Sequence, residues 1–188
     1  MAGPLGVAPA DYFYAVMPAP TLRPATADDI PALAALVNDA YRGASSRRAW
    51  TTEADLLDGP RTDEAELHEL LGAPGGGFLL AVGPGGQLVG SVYLQAQGLH
   101  LYLGTLAVMP AAQAHGLGRH LLEAAEIQAC QQGCTHLKIT VVSARTELLA
   151  WYERRGYVRT GATEPFPAGS RFGCPRQPLS LVVLEKPV

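Results

Sequence analysis

Long apolar runs, basic clusters and paired cysteines are all missing from this chain, and each absence removes a class of function. No uninterrupted hydrophobic stretch approaches the ~20 residues of a membrane-spanning helix, so no membrane partner is expected. Fourteen Lys and Arg against seventeen Asp and Glu leave a net charge of −3 with no basic run. The electrostatic footprint of a nucleic-acid binder is therefore absent. Charged residues make up 16% of the chain and hydrophobic ones 48%, which describes a globular protein and excludes a disordered one. Three cysteines, an odd number, form no disulfide framework and favour a reducing, cytoplasmic setting. Cys130, Cys134 and His136 stand in a Cys-x3-Cys-x-His spacing with no fourth partner. They read as buried thiols where a helix end runs into a strand, and no metal is expected. The opening residues carry no basic segment, so a secretory signal is not expected either.

What is present centres on His100 to Gln132. Leu101 to Val108, rich in Leu, Tyr, Thr and Val and closed by Pro110, predicts a largely buried strand. Beyond Gly118, the residues Leu121, Leu122, Ala125 and Ala129 recur at helical spacing, so a helix begins near that glycine. The turn between them reads Gln113-Ala114-His115-Gly116-Leu117-Gly118-Arg119. Its physics favours an anion. A helix N-terminus has unpaired N–H groups and partial positive charge, and glycines let a phosphate approach the backbone. Arg119 in the first turn suits a phosphate better than it suits the helix dipole. Two glycines at a turn also serve geometry alone. No Gly-Lys-Ser/Thr follows, which excludes a P-loop, and a dinucleotide fingerprint would need a third glycine within a βαβ unit.

Leu106-Ala107-Val108-Met109-Pro110 followed by Gln113-x-x-Gly116-x-Gly118 resembles the acyl-CoA-binding motif of the GCN5-related N-acetyltransferase (GNAT) family. That motif is Gln/Arg-x-x-Gly-x-Gly/Ala after a strand, opening a helix. A second match, Leu148 to Tyr157 (LLAWYERRGY), is similar to the family's later helix, in which a Tyr precedes a Gly-aromatic pair. A strand-like run separates the two motifs, as the family requires. The resemblance covers about Thr21 to Val188. It implies an N-terminal arm over residues 1–20, with an aromatic patch at Tyr12, Phe13 and Tyr14, and one acetyltransferase domain over 21–188. That arm is either flexible or docked on its own protomer or a neighbour, and a homodimer is a candidate assembly.

Along the chain, Thr21 to Pro24 predicts a short strand, and Thr26 with Asp29 forms a capping-box-like start. Ile30, Leu33, Val37, Ala40 and Tyr41 then mark an apolar helical face. A second helical region is expected from about Thr52 to Leu71, bent or split at Gly59-Pro60. Phe78 to Val82 and Leu88 to Gln97 read as strands, with Gln97-Gly98 turning into the central strand. His136 to Val142 is the next strand and Thr146 to Arg155 the next helix. Tyr157 to Gly161 and Leu179 to Leu184 close the sheet, with a long loop from Pro165 to Pro178 that could cover a site. No internal repeat is present. Hairpins first and a crossover later predict a mixed α/β fold, and the family resemblance makes it a GNAT-like central sheet of about seven strands flanked by about four helices.

The resemblance implies direct acetyl transfer from acetyl-CoA to an amine, with both substrates bound together. It places the backbone of Leu106, Ala107 and Val108 along the pantetheine arm, and the N–H groups of Gln113 to Arg119, with Ala114, His115, Gly116, Leu117 and Gly118 between, on the pyrophosphate. The strands must splay there, which no sequence reveals. Tyr152 matches the family's general acid for the CoA sulfur; on residue pattern alone it would be a half-buried aromatic beside Trp151. Arg145 stands where the family often has a cofactor-contacting Asn; an Arg there could still hydrogen-bond the cofactor or a phosphate, though that contact does not carry over unchanged. The base is least specified. Glu53 either fills that role or caps a helix begun at Thr51 or Thr52. Tyr93 and Tyr102 could act through water. Trp50, Glu53 and Arg61 resemble a Trp-Thr-x-Glu, Gly-x-Arg segment of some family members, suiting an acceptor with both an amine and an acid. The expected activity is N-acetylation of a small molecule or peptide. A non-catalytic acyl-CoA-binding module of the same fold is the alternative.

Overall fold

Hairpin turns in the first half of the chain and a strand–helix–strand crossover in the second generate one seven-stranded mixed sheet. The computed structural model describes residues 19–43, 53–113, 115–167 and 173–188. Thr21–Pro24 (β1) leads through a one-turn 3-10 helix, Ala27–Asp29, into helix α1, Ile30–Arg42. The short strand Leu57–Asp58 (β2) precedes helix α2, Glu64–Gly72. Strands β3 (Gly76–Val82), β4 (Leu88–Gln97) and β5 (His100–Val108) follow as antiparallel neighbours. Helix α3 (Leu117–Gln131) crosses to β6 (His136–Val142), then α4 (Thr146–Glu153). Strands β7 (Val158–Pro165), β8 (Cys174–Pro175) and β9 (Ser180–Pro187) complete the chain. The sheet order is β1-β3-β4-β5-β6-β9-β7, and β2 pairs with β8 in a separate ribbon.

The sheet separates two cores. On one face α3 and α4 bury Leu121, Leu122, Ala125 and Leu149, with Tyr157 beyond the end of α4, against Leu101, Leu103 and Leu137. On the other, α1 lays Ile30, Leu33, Val37 and Ala40 over Phe78, Leu80 and Tyr93, with Leu67 of α2 beside them. The apolar spacing read from the α1 sequence is the spacing of that buried face. Its entry is fixed by Asp29, whose carboxylate accepts from the Thr26 backbone N–H at 2.8 Å and binds Arg23 Nη2 at 2.6 Å. The Arg23 guanidinium holds the Asp29 carboxyl well below the usual carboxylate range.

Two expectations need correction. Among the described residues, no helix spans the expected 52–63 part of the second helical region; α2 begins only at Glu64. Gly59 takes φ 89°, Pro60 follows it, and Asp63 caps α2 by accepting from Glu66 N at 2.7 Å, so helix cannot propagate through this point. The freed segment instead pairs β2 with β8 inside the expected Pro165–Pro178 loop, and Arg176 Nε binds the Asp58 carboxylate at 3.1 Å. The thiols also differ from expectation: Cys134 is buried, whereas Cys130 and Cys174 are exposed. Gln128 to Cys130 lie in the last turn of α3, and its outward rotation carries the Cys130 side chain to solvent.

Candidate active site

Strand β5 builds the site by leaving its neighbour. It pairs in parallel with β6 only from His100↔His136 to Leu103↔Ile139, and beyond Gly104 the two strands separate. A bulge coincides with the departure. Ser91 faces Ala107 and Tyr93 faces Gly104, so Thr105 and Leu106 together oppose Val92. Thr105 sits at φ 48°, an unusual conformation for a β-branched residue. Beyond the bulge the peptide groups of Leu106 and Val108 turn away from β4. The Leu106 carbonyl accepts from Tyr41 Oη at 2.9 Å, and the Val108 carbonyl accepts from Gln113 Nε2 at 3.0 Å.

Two cavities open into this gap and share Tyr41, Leu106, Leu148 and Tyr152. The first is a groove of about 420 Å³ running from Leu106 and Val108 to Gln113, Gly116 and Gly118 at the start of α3. Gly116 is the N-cap at φ 82°, and among the described residues no side chain caps the helix, so its first-turn N–H groups lie at the groove without a side-chain acceptor there. A Cβ on Gly118 would lie 3.6 Å from the Trp151 ring, which forms the opposite wall. Arg119, Arg154 and Arg155 gather at this end. Arg155 stacks 3.5 Å from the Trp151 ring centroid and donates to Trp151 O at 2.8 Å. Burial, and then the charges of Arg154 and Arg119, push its pKa down.

The second cavity, about 300 Å³, lies between α1, α2, the sheet and the residues Phe166 and Pro167 after β7. Glu53, only 8% exposed, places Oε2 3.2 Å from Arg42 Nη2 and 4.0 Å from Arg61 Nε. Arg61 lies 5.3 Å from the Tyr41 ring centroid. Burial pushes the Tyr41 phenol up to about 12. Tyr102 Oη meets Thr140 Oγ1 at 3.3 Å, while Tyr93 Oη is buried with no hydrogen-bond partner among the described residues. Tyr152 stands where the cavities join, 7% exposed, wedged edge-on between Trp151 and Tyr157. Its hydroxyl makes no hydrogen bond among the described residues, and burial raises its pKa, so it remains a neutral phenol.

The structure thus brings Tyr152, Leu106, Val108, Gln113, Gly116, Leu117, Gly118 and Arg119 to the groove, and Glu53, Arg61 and Tyr93 to the adjoining cavity. Arg145, assigned to the cofactor by resemblance, lines the second cavity instead, with Nε bound to Glu147 Oε1 at 2.6 Å. His115 lies off the groove in a side pocket with Pro20 and Gly83, and Ala107 points into the α1 core. Trp50, Ala114 and the aromatic patch of the arm lie outside the described residues. Glu53 begins no helix; its N–H donates to Tyr41 O at 2.8 Å. Sequence reasoning missed Tyr41, Glu66, Trp151, Arg154 and Arg155. The last three sit on the turn that carries Tyr152, so helical rotation alone could have found them. Tyr41 was visible only as one of an apolar face.

The chain belongs to the acetyltransferase (GNAT) family, whose model matches residues 36–157. No curated protein sequence matches it. Among solved structures it is similar to ribosomal-protein-alanine N-acetyltransferase from Brucella melitensis, at 24% identity and a TM-score of 0.66, covering 89% of this chain and 99% of that one. It is also similar to ribosomal-protein-S18-alanine N-acetyltransferase from Escherichia coli, at 18% identity, TM-score 0.65, and 89% and 93% coverage. A third is a GNAT superfamily phosphinothricin acetyltransferase from Sinorhizobium meliloti in complex with AcCoA, at 17% identity, TM-score 0.64, and 91% and 89% coverage. At these identities the likeness is one of fold.

Proposed function

We propose that this protein is an acetyl-CoA-dependent N-acetyltransferase that moves an acetyl group directly onto a primary amine of a small molecule or peptide. The observation that carries this reading is the Tyr152 hydroxyl, without a hydrogen-bond partner among the described residues and set where the two cavities join. The groove fits a coenzyme on its own features. Glycine at the helix start opens the backbone N–H groups to a pyrophosphate, and the three arginines offer charge for further phosphate. The N–H groups of Leu106 and Val108, turned from β4, suit the pantetheine and the thioester oxygen. Acetyl-CoA, as co-substrate, supplies the activated acyl carbon. Tyr152 holds the proton that the departing sulfur needs, and its raised pKa keeps that proton in place until sulfur becomes the stronger base. The second cavity, joined to the groove at Tyr41 and Leu106, receives the amine. Odd cysteine count and the absence of a membrane-spanning helix among the described residues are compatible with work in the cytoplasm.

Calorimetry with acetyl-CoA, followed by thiol release against an amine panel, tests the reading. Wild type is expected to bind and turn over. Tyr152→Phe is expected to bind acetyl-CoA within about twofold yet lose roughly 100-fold or more in kcat, the usual scale of one acid–base group. Binding with no turnover of any amine would favour the non-catalytic module. No binding would remove the proposal.

A further inference from the structure

Two buried carboxylates line the acceptor-side cavity, and they are not equivalent. Glu53 is enclosed by Arg42 and Arg61. Glu66, 8% exposed and on the first turn of α2, has no cation within ion-pair distance among the described residues. One of its oxygens, Oε2, accepts from Thr62 Oγ1 at 2.7 Å, and that is the only hydrogen bond its carboxylate makes there. A carboxylate offers about four lone-pair sites, so most of this acceptor capacity is unspent in a place where unpaired charge is costly. Tyr93 supplies an independent sign. Its Oη, in a residue only 2% exposed, also lacks a hydrogen-bond partner among the described residues, and Tyr93 lines the same cavity. A Cβ on Gly76 would lie 2.5 Å from Tyr93 Oη and 2.9 Å from Leu70 O, so the phenol reaches the α2 turn on which Glu66 and Leu70 share a face.

We propose that Glu66 is the carboxylate that binds the ammonium group of the acceptor and takes its first proton, with the Tyr93 hydroxyl as a second polar contact. This rests on the acetyl-transfer reading above and identifies the acceptor as an amine that arrives protonated. The cation missing beside Glu66 is the substrate's own. Glu66 removes one proton from R–NH3+, leaving a nitrogen lone pair that forms the C–N bond to the acyl carbon. The C–S bond breaks, and the sulfur takes its proton from Tyr152 Oη. The second proton lost from nitrogen restores the Tyr152 phenol, and Glu66 returns the first to solvent, so one proton is released per amide formed. The cavity's other titratable groups are Arg42, Arg61, Arg145, Tyr41, Tyr93, Tyr102 and Tyr152, and burial raises the pKa of Tyr41, Tyr93 and Tyr152. Glu53 is engaged by Arg42 and Arg61, which leaves Glu66 as the cavity carboxylate without a cationic partner among the described residues.

Glu66→Gln, which keeps an oxygen for Thr62, is compared with Thr62→Val, which removes that bond together with the longer 3.4 Å one from Thr62 Oγ1 to Asp63 O. Ethanolamine, cadaverine, L-alaninamide and an alanine-initiated tripeptide serve as acceptors over pH 6–10. Glu66→Gln is expected to keep the wild-type melting temperature and acetyl-CoA affinity while losing about 100-fold in kcat/KM near pH 7. That deficit should close as pH approaches the pKa of the amine, because a neutral amine needs no base. A loss equal at every pH, a loss reproduced by Thr62→Val, or no loss would each overturn the role of Glu66. Amine binding to the CoA complex, followed by calorimetry, separates this from the acetyl-transfer reading. Wild-type amine binding that vanishes in Glu66→Gln sustains the site even where turnover is absent, and binding retained in the variant overturns it. A wild-type complex that neither binds nor acetylates any of the four overturns both.

Discussion

Replacing Gly116 and Gly118 one at a time with alanine should move stability in opposite directions, though both belong to one motif. Gly116 caps α3 at φ 82°, and a Cβ there would meet nothing within 4 Å. Its cost is therefore backbone strain alone, ~1–2 kcal/mol for an L-residue in the left-handed region. The lower chain entropy of unfolded alanine offsets roughly 0.5–1 kcal/mol. The net loss is about 0.5–1 kcal/mol, or a fall of roughly 1–4 °C in Tm for a chain of this size. Relieving the strain would also turn the first N–H groups of α3 from the groove, so acetyl-CoA affinity should drop about tenfold, equivalent to ~1.4 kcal/mol. Gly118 carries no positive φ, and its Cβ would make an ordinary contact at 3.6 Å with Trp151. Alanine there should raise stability by about 0.5 kcal/mol through helix propensity and leave coenzyme binding within roughly twofold. Thermal melts and calorimetry on the two variants decide the matter. Gly116→Ala with wild-type Tm and affinity would refute the left-handed N-cap as the feature that builds the phosphate site. Gly118→Ala losing stability would refute the reading of Trp151 as a wall with room to spare.

Thr105→Gly should stabilise the protein by up to about 1 kcal/mol, since release from φ 48° outweighs the added chain entropy; a lower urea midpoint would mean that the bulge is not strained. Alkaline pH should destabilise the fold steeply. Tyr41, Tyr152 and Tyr157 all have raised pKa values from burial, so above pH 10 the unfolded chain releases protons that the folded one keeps. Stability then falls as pH rises, by about 4 kcal/mol per pH unit while all three are withheld, at ~1.4 per proton. Tyr41→Phe should lower that slope by one proton and cost ~1 kcal/mol at neutral pH through loss of the bond to Leu106 O. Urea titrations from pH 8 to 11 read both, and an unchanged alkaline slope in the variant would show that Tyr41 ionises freely.

The two carboxylates also explain why the acceptor side resisted sequence reasoning. Glu53 stood out because Trp50 and Arg61 flank it in a recognisable spacing. Glu66 stands in a run of charged helix, EAELHELLG, where Glu64 and Glu69 are chemically identical to it. What distinguishes Glu66 is rotation about α2, which turns it inward with Leu70 while Glu64 and Glu69 face solvent. Arg145 illustrates the converse. Its place in the motif suggested a coenzyme contact, yet the turn into α4 directs its side chain to Glu147 and the other cavity.

By itself the sequence determined most of the elements and the residues that line the groove at the start of α3, because both are local. Strand β5, the glycine turn and the start of α3 are contiguous, and so are Tyr152 and its helix. Apolar periodicity placed α1, β4, β6 and most of their boundaries. The second helical region failed where a capping Asp63 and a glycine at φ 89° outweighed helix propensity in the preceding residues. Only the tertiary structure decided the gap between β5 and β6, since a bulge and a truncated pairing register are properties of two strands and not of either. The same holds for the second cavity. Tyr41, Glu66 and Tyr93 come from α1, α2 and β4, are far apart along the chain, and acquire meaning from the partners that folding grants or withholds.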